Sequence, residues 1–156
     1  GKGTGRLIGA VESLRTELPG LRLCLFGSFE DEATAALAKA SPAVKLEGWC
    51  DRTKTLELLK LADLACWPVH HTTLIEDSVS VATPLLIRRT GTTQHLVRDN
   101  GRWLESSDEQ SIAAALRQTA TLDEAGRALL RQGCEAMREE ISYRTVARKV
   151  LNDMKK

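Results

Sequence analysis

The sequence predicts an α/β domain in which a parallel sheet carries helices on both faces and ends in a helical tail. Three observations point there. Segments of helical and strand periodicity alternate about five times, and from residue 107 onward the pattern is helical throughout. Strands separated by helices need crossover connections, and crossovers give parallel pairing covered on both sides. The composition, 42% hydrophobic but only 4% aromatic, requires a core of Leu, Val, Ile and Ala. A length of 156 residues fits one such domain.

The elements follow in order. Leu7, Ile8, Val11, Leu14 and Leu18 recur at helical spacing over 6–18, and Pro19-Gly20 stops that helix. LRLCLF (21–26) reads as a strand broken by Gly27-Ser28. The good helix formers of 31–40 end at Ser41-Pro42, and Val44 and Leu46 alternate in a strand over 43–49. A helix over 53–62 leads into the buried strand DLACW (63–67), closed by Pro68. A polar loop then reaches a helix over 77–82, the strand PLLIRR (84–89), a short helix over 92–97 and a short strand over 101–106. Three helices finish the chain over 107–120, 122–140 and 142–156, the first with Ser107 and Gln110 at capping-box spacing.

Several function classes drop out. Charge is nearly balanced, 22 Lys+Arg against 21 Asp+Glu, so no strong field draws nucleic acid or acidic lipid. No apolar run approaches the roughly 18 residues a membrane helix needs. Cys24, Cys50, Cys66 and Cys134 are scattered, with no CxxC pair and no metal-finger spacing. Free thiols of this kind suit a reducing, cytoplasmic setting.

Sheets of this type bind ligands at the carboxyl ends of their strands, beside helix amino termini. Four loops leave that edge: Gly27-Ser28-Phe29, Trp49-Cys50-Asp51, Pro68 to Thr73, and Arg88 to Thr92. The third holds His70, His71, Thr72 and Thr73, with Glu76 and Asp77 just beyond. It is either a ligand site or an ordinary solvated connection. Adjacent histidines rarely converge on one ion, so no metal is expected. Trp49 reads as a packing residue rather than a stacking platform. Gly91, Thr92 and Thr93 either meet ligand hydroxyls or cap the next helix. Arg88 and Arg89 either hold phosphate or stay solvated.

The order of short phrases resembles the C-terminal domain of GT-B glycosyltransferases of the group typified by glycosyltransferase family 4. The phrases are Lys2-Gly3 before the first helix, LCLFG (23–27), EDEATAALAKA, VKLEGW, ADLACWP (62–68), TPLLI, TGTTQHLV, DNGRWL and the closing ISYRTVARKVL. The resemblance covers essentially the whole chain. It implies a Rossmann-like half of a GT-B fold, with a first strand ending Gly-Arg and an acceptor-binding N-terminal domain lying before residue 1.

By that resemblance the donor is a nucleotide diphosphate sugar, handled without metal or other cofactor. Lys2 would contact the diphosphate and offset charge on the leaving group. Asp77, seven residues before Pro84, would accept the ribose hydroxyls, with Glu76 as a substitute. Gly27, Ser28, Trp49, Gly91 and Thr92 would line the donor. Two departures stand out. Val69 occupies the place of the family's first glutamate, and His70-His71-Thr72 replaces its Gly-aromatic-Gly, whose glycines admit the diphosphate. His70, His71 and Thr72 are then donor-binding residues, with His70 or His71 supplying the missing polar contact, or the donor differs, or donor binding has been lost. The whole protein is then expected to be a retaining hexosyltransferase acting on a glycan or lipid acceptor, cytoplasmic, with attachment at the inner membrane face left open. No nucleic-acid partner is expected. A degenerate, non-catalytic homologue kept for protein interaction is the competing expectation.

Overall fold

Strand β4 (Leu85–Arg88) is the centre of the domain, because its successive side chains face opposite ways and Leu85, Leu86 and Ile87 are all buried. The computed structural model describes residues 3–29 and 31–154. Leu86 enters one aliphatic cluster with Leu7, Ala10 and Val11 of α1 (Thr4–Ser13), Leu14 just past its end, and Ile112 and Leu116 of α5 (Glu109–Ala120). Leu85 and Ile87 enter the other. There they meet Leu59 of α3 (Arg52–Leu61), Ile75 and Val79 of α4 (Thr73–Ser80) and Met137 of α6 (Glu124–Ile141). Neither of the two β4 leucines nor the isoleucine is more than 1% exposed. Each such side chain contributes roughly 1.5–3 kcal/mol by leaving water. Helices therefore cover both faces, as the alternating sequence requires.

All described strand pairings are parallel. β1 (Leu23–Phe26) pairs with β2 (Val44–Gly48), and β3 (Ala65–Trp67), β4 and β5 (Gly101–Leu104) pair in that order. The continuous sheet expected from the sequence is divided in two, since no ladder joins β1 to β3. Side chains link them: Leu23 and Cys66 pack on the first cluster, Phe26 and Trp67 on the second. The remaining helices are α2 (Glu32–Ala40) and α7 (Tyr143–Asp153). Among the described residues no helix is long and apolar enough to cross a membrane.

Element boundaries move where side chains supply better caps than periodicity suggests. The first helix stops at Ser13 and continues as turns, although Leu14 stays fully buried. Helix α4 begins at Thr73 rather than 77, with Thr72 as its cap. The expected helix over 92–97 is a run of turns. There the Thr93 hydroxyl donates to the Arg88 carbonyl and accepts from the Thr90 N–H, so the loop closes on itself. Asp108, not Ser107, caps α5 by accepting from the Ser111 N–H, while the Ser107 hydroxyl donates to the Pro68 carbonyl. Asn100 of the Asp-Asn-Gly phrase is 1% exposed and structural. Its side chain accepts from Arg98 N–H and donates to the Leu96 carbonyl.

Two caps generate predictions. At the end of α4, Thr83 N–H reaches the Ser78 carbonyl and Ala82 N–H the Val79 carbonyl. This is the two-bond stop that normally uses glycine at the left-handed position. Here that residue is Ala82, at φ 59°. A left-handed alanine costs about 1–2 kcal/mol, and glycine returns about 0.5–1 of that as chain entropy. Ala82→Gly is therefore expected to stabilise the protein by about 0.5–1 kcal/mol in urea unfolding, and Ala82→Val to destabilise it.

The Asp108 carboxyl is held down at about 2 by hydrogen bonds from the Ser106 hydroxyl first and the Ser111 N–H next. A depressed carboxylate stabilises above its unfolded value near 3.9 and loses that contribution as pH falls through the folded value. Thermal melts between pH 4 and pH 2 are expected to show a shallower fall for Asp108→Asn, which can still cap without titrating.

Candidate functional site

The carboxyl edge is built by two left-handed glycines and two helix starts. Gly27 (φ 93°) ends β1 and Gly48 (φ 68°) ends β2, and a side chain at either would meet open space. The loops they turn are thus accessible. Ser28 is exposed beside Gly27. Trp49 overturns its expected packing role: it is 87% exposed, because the Gly48 turn directs the chain away from the core. An exposed indole at this edge is free to stack.

Asp51 caps α3 by accepting from the Lys54 N–H, which places Arg52 at the first helical position. Arg52 reaches Asp77 on the neighbouring helix α4 with both arms of its guanidinium, Nη2 to Oδ1 at 2.9 Å and Nη1 to Oδ2 at 3.2 Å. The Asp77 side chain is 13% exposed and that of Arg52 73%. Paired forks of this kind are stronger and more directional than single contacts. Asp77 lies in the second turn of α4, so it does not serve as the first-turn helix acid; Glu76 does. The pairing partner of Asp77 was not legible in sequence, since residues 25 apart in helices of different periodic segments share no pattern.

Glu76 faces the other way. Its Oε1 lies 2.8 Å from His71 Nε2, while its Oε2 and the indole Nε1 of Trp67 are buried without a partner. His70 is exposed. The hydroxyl of Thr72 accepts weakly from Leu74 N–H, at 3.5 Å. The loop is thus a mixed one, with His71 engaged and His70 free.

Other expected contacts are used internally. Arg88 Nη1 donates to the Glu105 carbonyl at 2.7 Å, and the Arg89 guanidinium lies 5.8 Å over the Trp103 ring. Neither is a free phosphate clamp. The alternative of Thr92 and Thr93 capping a following helix fails with that helix. Thr92 shares its hydroxyl with Thr90, and Gly91 beside it borders open space. No group of three or more His, Cys, Asp or Glu among the described residues could hold a metal ion. A groove of about 410 Å³ runs between α1 and α2 past Gly5, Gly9, Glu12 and Ser41. It is a helix seam, and Glu12 there already bonds Ser41 and Arg15.

Lys2 lies outside the described residues, but its neighbour Gly3 fixes the entry of α1. Gly3 has φ 81°, and a side chain there would come within 2.6 Å of Val69 Cγ2 and 3.1 Å of Pro68 Cγ. Val69 therefore fills, with methyl groups, the place where the resemblance puts an acid.

Neither a family model nor a curated protein matches the sequence. Solved structures do match in shape. A variant of S. aureus TarM, in complex with UDP, fondaparinux and alpha-GlcNAc-glycerol, aligns at TM-score 0.72 with 16% identity, over 94% of this chain and 31% of that one. S. aureus MnaA with UDP aligns at 0.67 and 16%, over 85% and 37%. The pneumococcal O-GlcNAc transferase GtfA, with UDP and GlcNAc, aligns at 0.62 and 22%, over 94% and 33%. The chain thus has the fold of the C-terminal half of GT-B glycosyltransferases. It spans about a third of the length of the proteins it matches.

The close approach at Gly3 is open to test. Gly3→Ala is expected to cost about 1–2 kcal/mol from the left-handed backbone, plus the contact with Val69. In a Val69→Ala background the cost should shrink to the backbone part, as a double-mutant cycle in urea would show.

Proposed function

We propose that this domain binds the donor of a glycosyltransferase, a nucleotide diphosphate sugar, across the carboxyl edges of β1, β2 and β3. One observation carries the reading. Asp77 stands where the resemblance puts the ribose acceptor, and it is held there as an oriented carboxylate by Arg52. The exposed Trp49 fits a platform for the base, and the open backbone at Gly27 and Gly91 fits close approach of a ligand. UDP in the TarM, MnaA and GtfA structures supports a uridine nucleotide.

The finer reading is a retaining, metal-independent hexosyltransferase of the family 4 type. Without a metal, charge developing on the leaving diphosphate must be met by cations and helix dipoles, for which Lys2 and the amino terminus of α4 are the available groups. The acceptor, a glycan or lipid, would be held by a second domain. The strand that the resemblance puts before α1 would pair with the free edges of β1 and β3. Cytoplasmic action, with contact at the inner membrane face for a lipid acceptor, completes the proposal.

A second reading, a degenerate domain kept for protein contacts, is favoured by Val69 packing against Gly3. Titration of UDP, GDP and ADP against the chain and its full-length polypeptide separates the two. A nucleotide at about 100 times its dissociation constant should add roughly 2.7 kcal/mol of stability. The shift should survive EDTA and largely vanish in Asp77→Ala. No response from the full-length protein to any of the three would leave the interaction-only reading.

A further inference from the structure

We infer that the seam between β1 and β3 is a strand-acceptor site, which takes an extended, wholly apolar peptide in trans and joins the two sheets into one. The inference is independent of any donor the domain binds. Leu23 in β1 and Gly27 just past it donate their N–H groups to Ala43 and Gly48 beside β2, and Ala65 in β3 donates to Pro84 beside β4. Along a parallel strand, successive peptide groups alternate between the two edges. The peptide groups of Cys24, Phe26 and Cys66 therefore face the seam, and among the described residues no ladder crosses it.

Apolar side chains wall the seam on both faces. Leu23 and Cys66 pack on one cluster, Phe26 and Trp67 on the other, yet the Cα atoms of β1 and β3 do not approach as those of paired strands do. One inserted strand would hold them about twice the ~4.8 Å strand spacing apart. Helix α1 roofs the gap, with Leu7 and Val11 in the cluster of Leu23 and Cys66. Its first turn straddles both sheets: a side chain at Gly3 would lie 3.1 Å from Pro68 Cγ, and one at Gly5 3.6 Å from Thr34 Oγ1 at the start of α2.

Burial shows what is missing. Strand β4, paired on both edges, has Leu85, Leu86 and Ile87 buried, whereas no residue of β1 is buried and only Ala65 of β3 is. Parallel strands are ordinarily covered on both faces, and an unpaired edge is a template for an added strand. The two edges face each other, so the occupant must be free along both of its own edges. A strand already paired in a second copy of this domain cannot offer that; an extended peptide can. Its side chains would enter a cluster on either face, so every position must be apolar, over about four or five residues at roughly 3.3 Å each.

The test uses the 156-residue chain and a capped peptide, Lys-Lys-Val-Ile-Val-Val-Ile-Lys-Lys, followed by hydrogen–deuterium exchange. Saturating peptide should slow exchange over 23–26 and 65–67 by about tenfold or more, with little change over 44–48. Replacing the central valine of the peptide by aspartate should abolish the effect. Two N-methylated peptides, blocked at odd or at even core positions, decide the mode. Both should lose binding by about tenfold or more, because a strand in the slot uses both edges. Tolerance of either series overturns the inference, since it marks addition to one exposed edge. Protection without peptide, together with a doubled mass in light scattering, overturns it in favour of a second copy. Absence of any protection by the parent peptide overturns it outright.

Discussion

Parallel pairing without hairpins forces every strand connection over a face of the sheet, and that constraint governs the rest of this domain. A strand under helices on both sides has little room for charge or polarity, so β4 is Leu85-Leu86-Ile87 through its buried part, with Arg88 only at its emerging end. Its alternating side chains create two clusters rather than one. Each helix must then choose a side: α1 and α5 one, α3, α4 and α6 the other. Because α2, α3, α4 and α5 each follow the end of a strand, polar groups collect at a single edge. The chemistry of the domain is where it is because the core left it nowhere else.

Much of this was legible in the chain. Aliphatic blocks separated by Pro, Gly and short polar loops gave the strand count and the parallel topology, since both depend on periodicity and connection length. What escaped depends on single side-chain bonds. The segment 92–97 has helical composition, yet Thr93 and Thr90 fold it into turns by bonding backbone that a helix would have used. Helix α4 starts four residues early because Thr72 can cap it. The Asp-Asn-Gly phrase was visible as a motif, but only the structure shows that Asn100 is a buried brace.

The candidate site was legible by position more than by partner. Sequence placed Gly27, Trp49, His71, Glu76 and Asp77 near the carboxyl ends of strands; the structure has Gly27, Trp49 and His71 on loops, Glu76 in the first turn of α4 and Asp77 in its second. It misjudged Trp49, whose apolar surface argued for burial while the turn at Gly48 decided otherwise. It could not see Arg52, because an arginine at a helix start is unremarkable until the opposing carboxylate is known. Glu76 and Asp77, adjacent in sequence, diverge around the helix to His71 and Arg52. Two acids that look interchangeable in the chain thus have separate surroundings.

Asn100 has a consequence for how distant parts of the chain find their register. Its side chain ties the Arg98 N–H to the Leu96 carbonyl, while its own carbonyl accepts from the Leu85 N–H at the head of the central strand and faces the Cys134 thiol of α6. One residue, 1% exposed, thus aligns a loop, a strand and a helix drawn from three stretches of sequence. A buried amide with this many partners acts as a key, because any other alignment of the three segments would strand polar groups away from water.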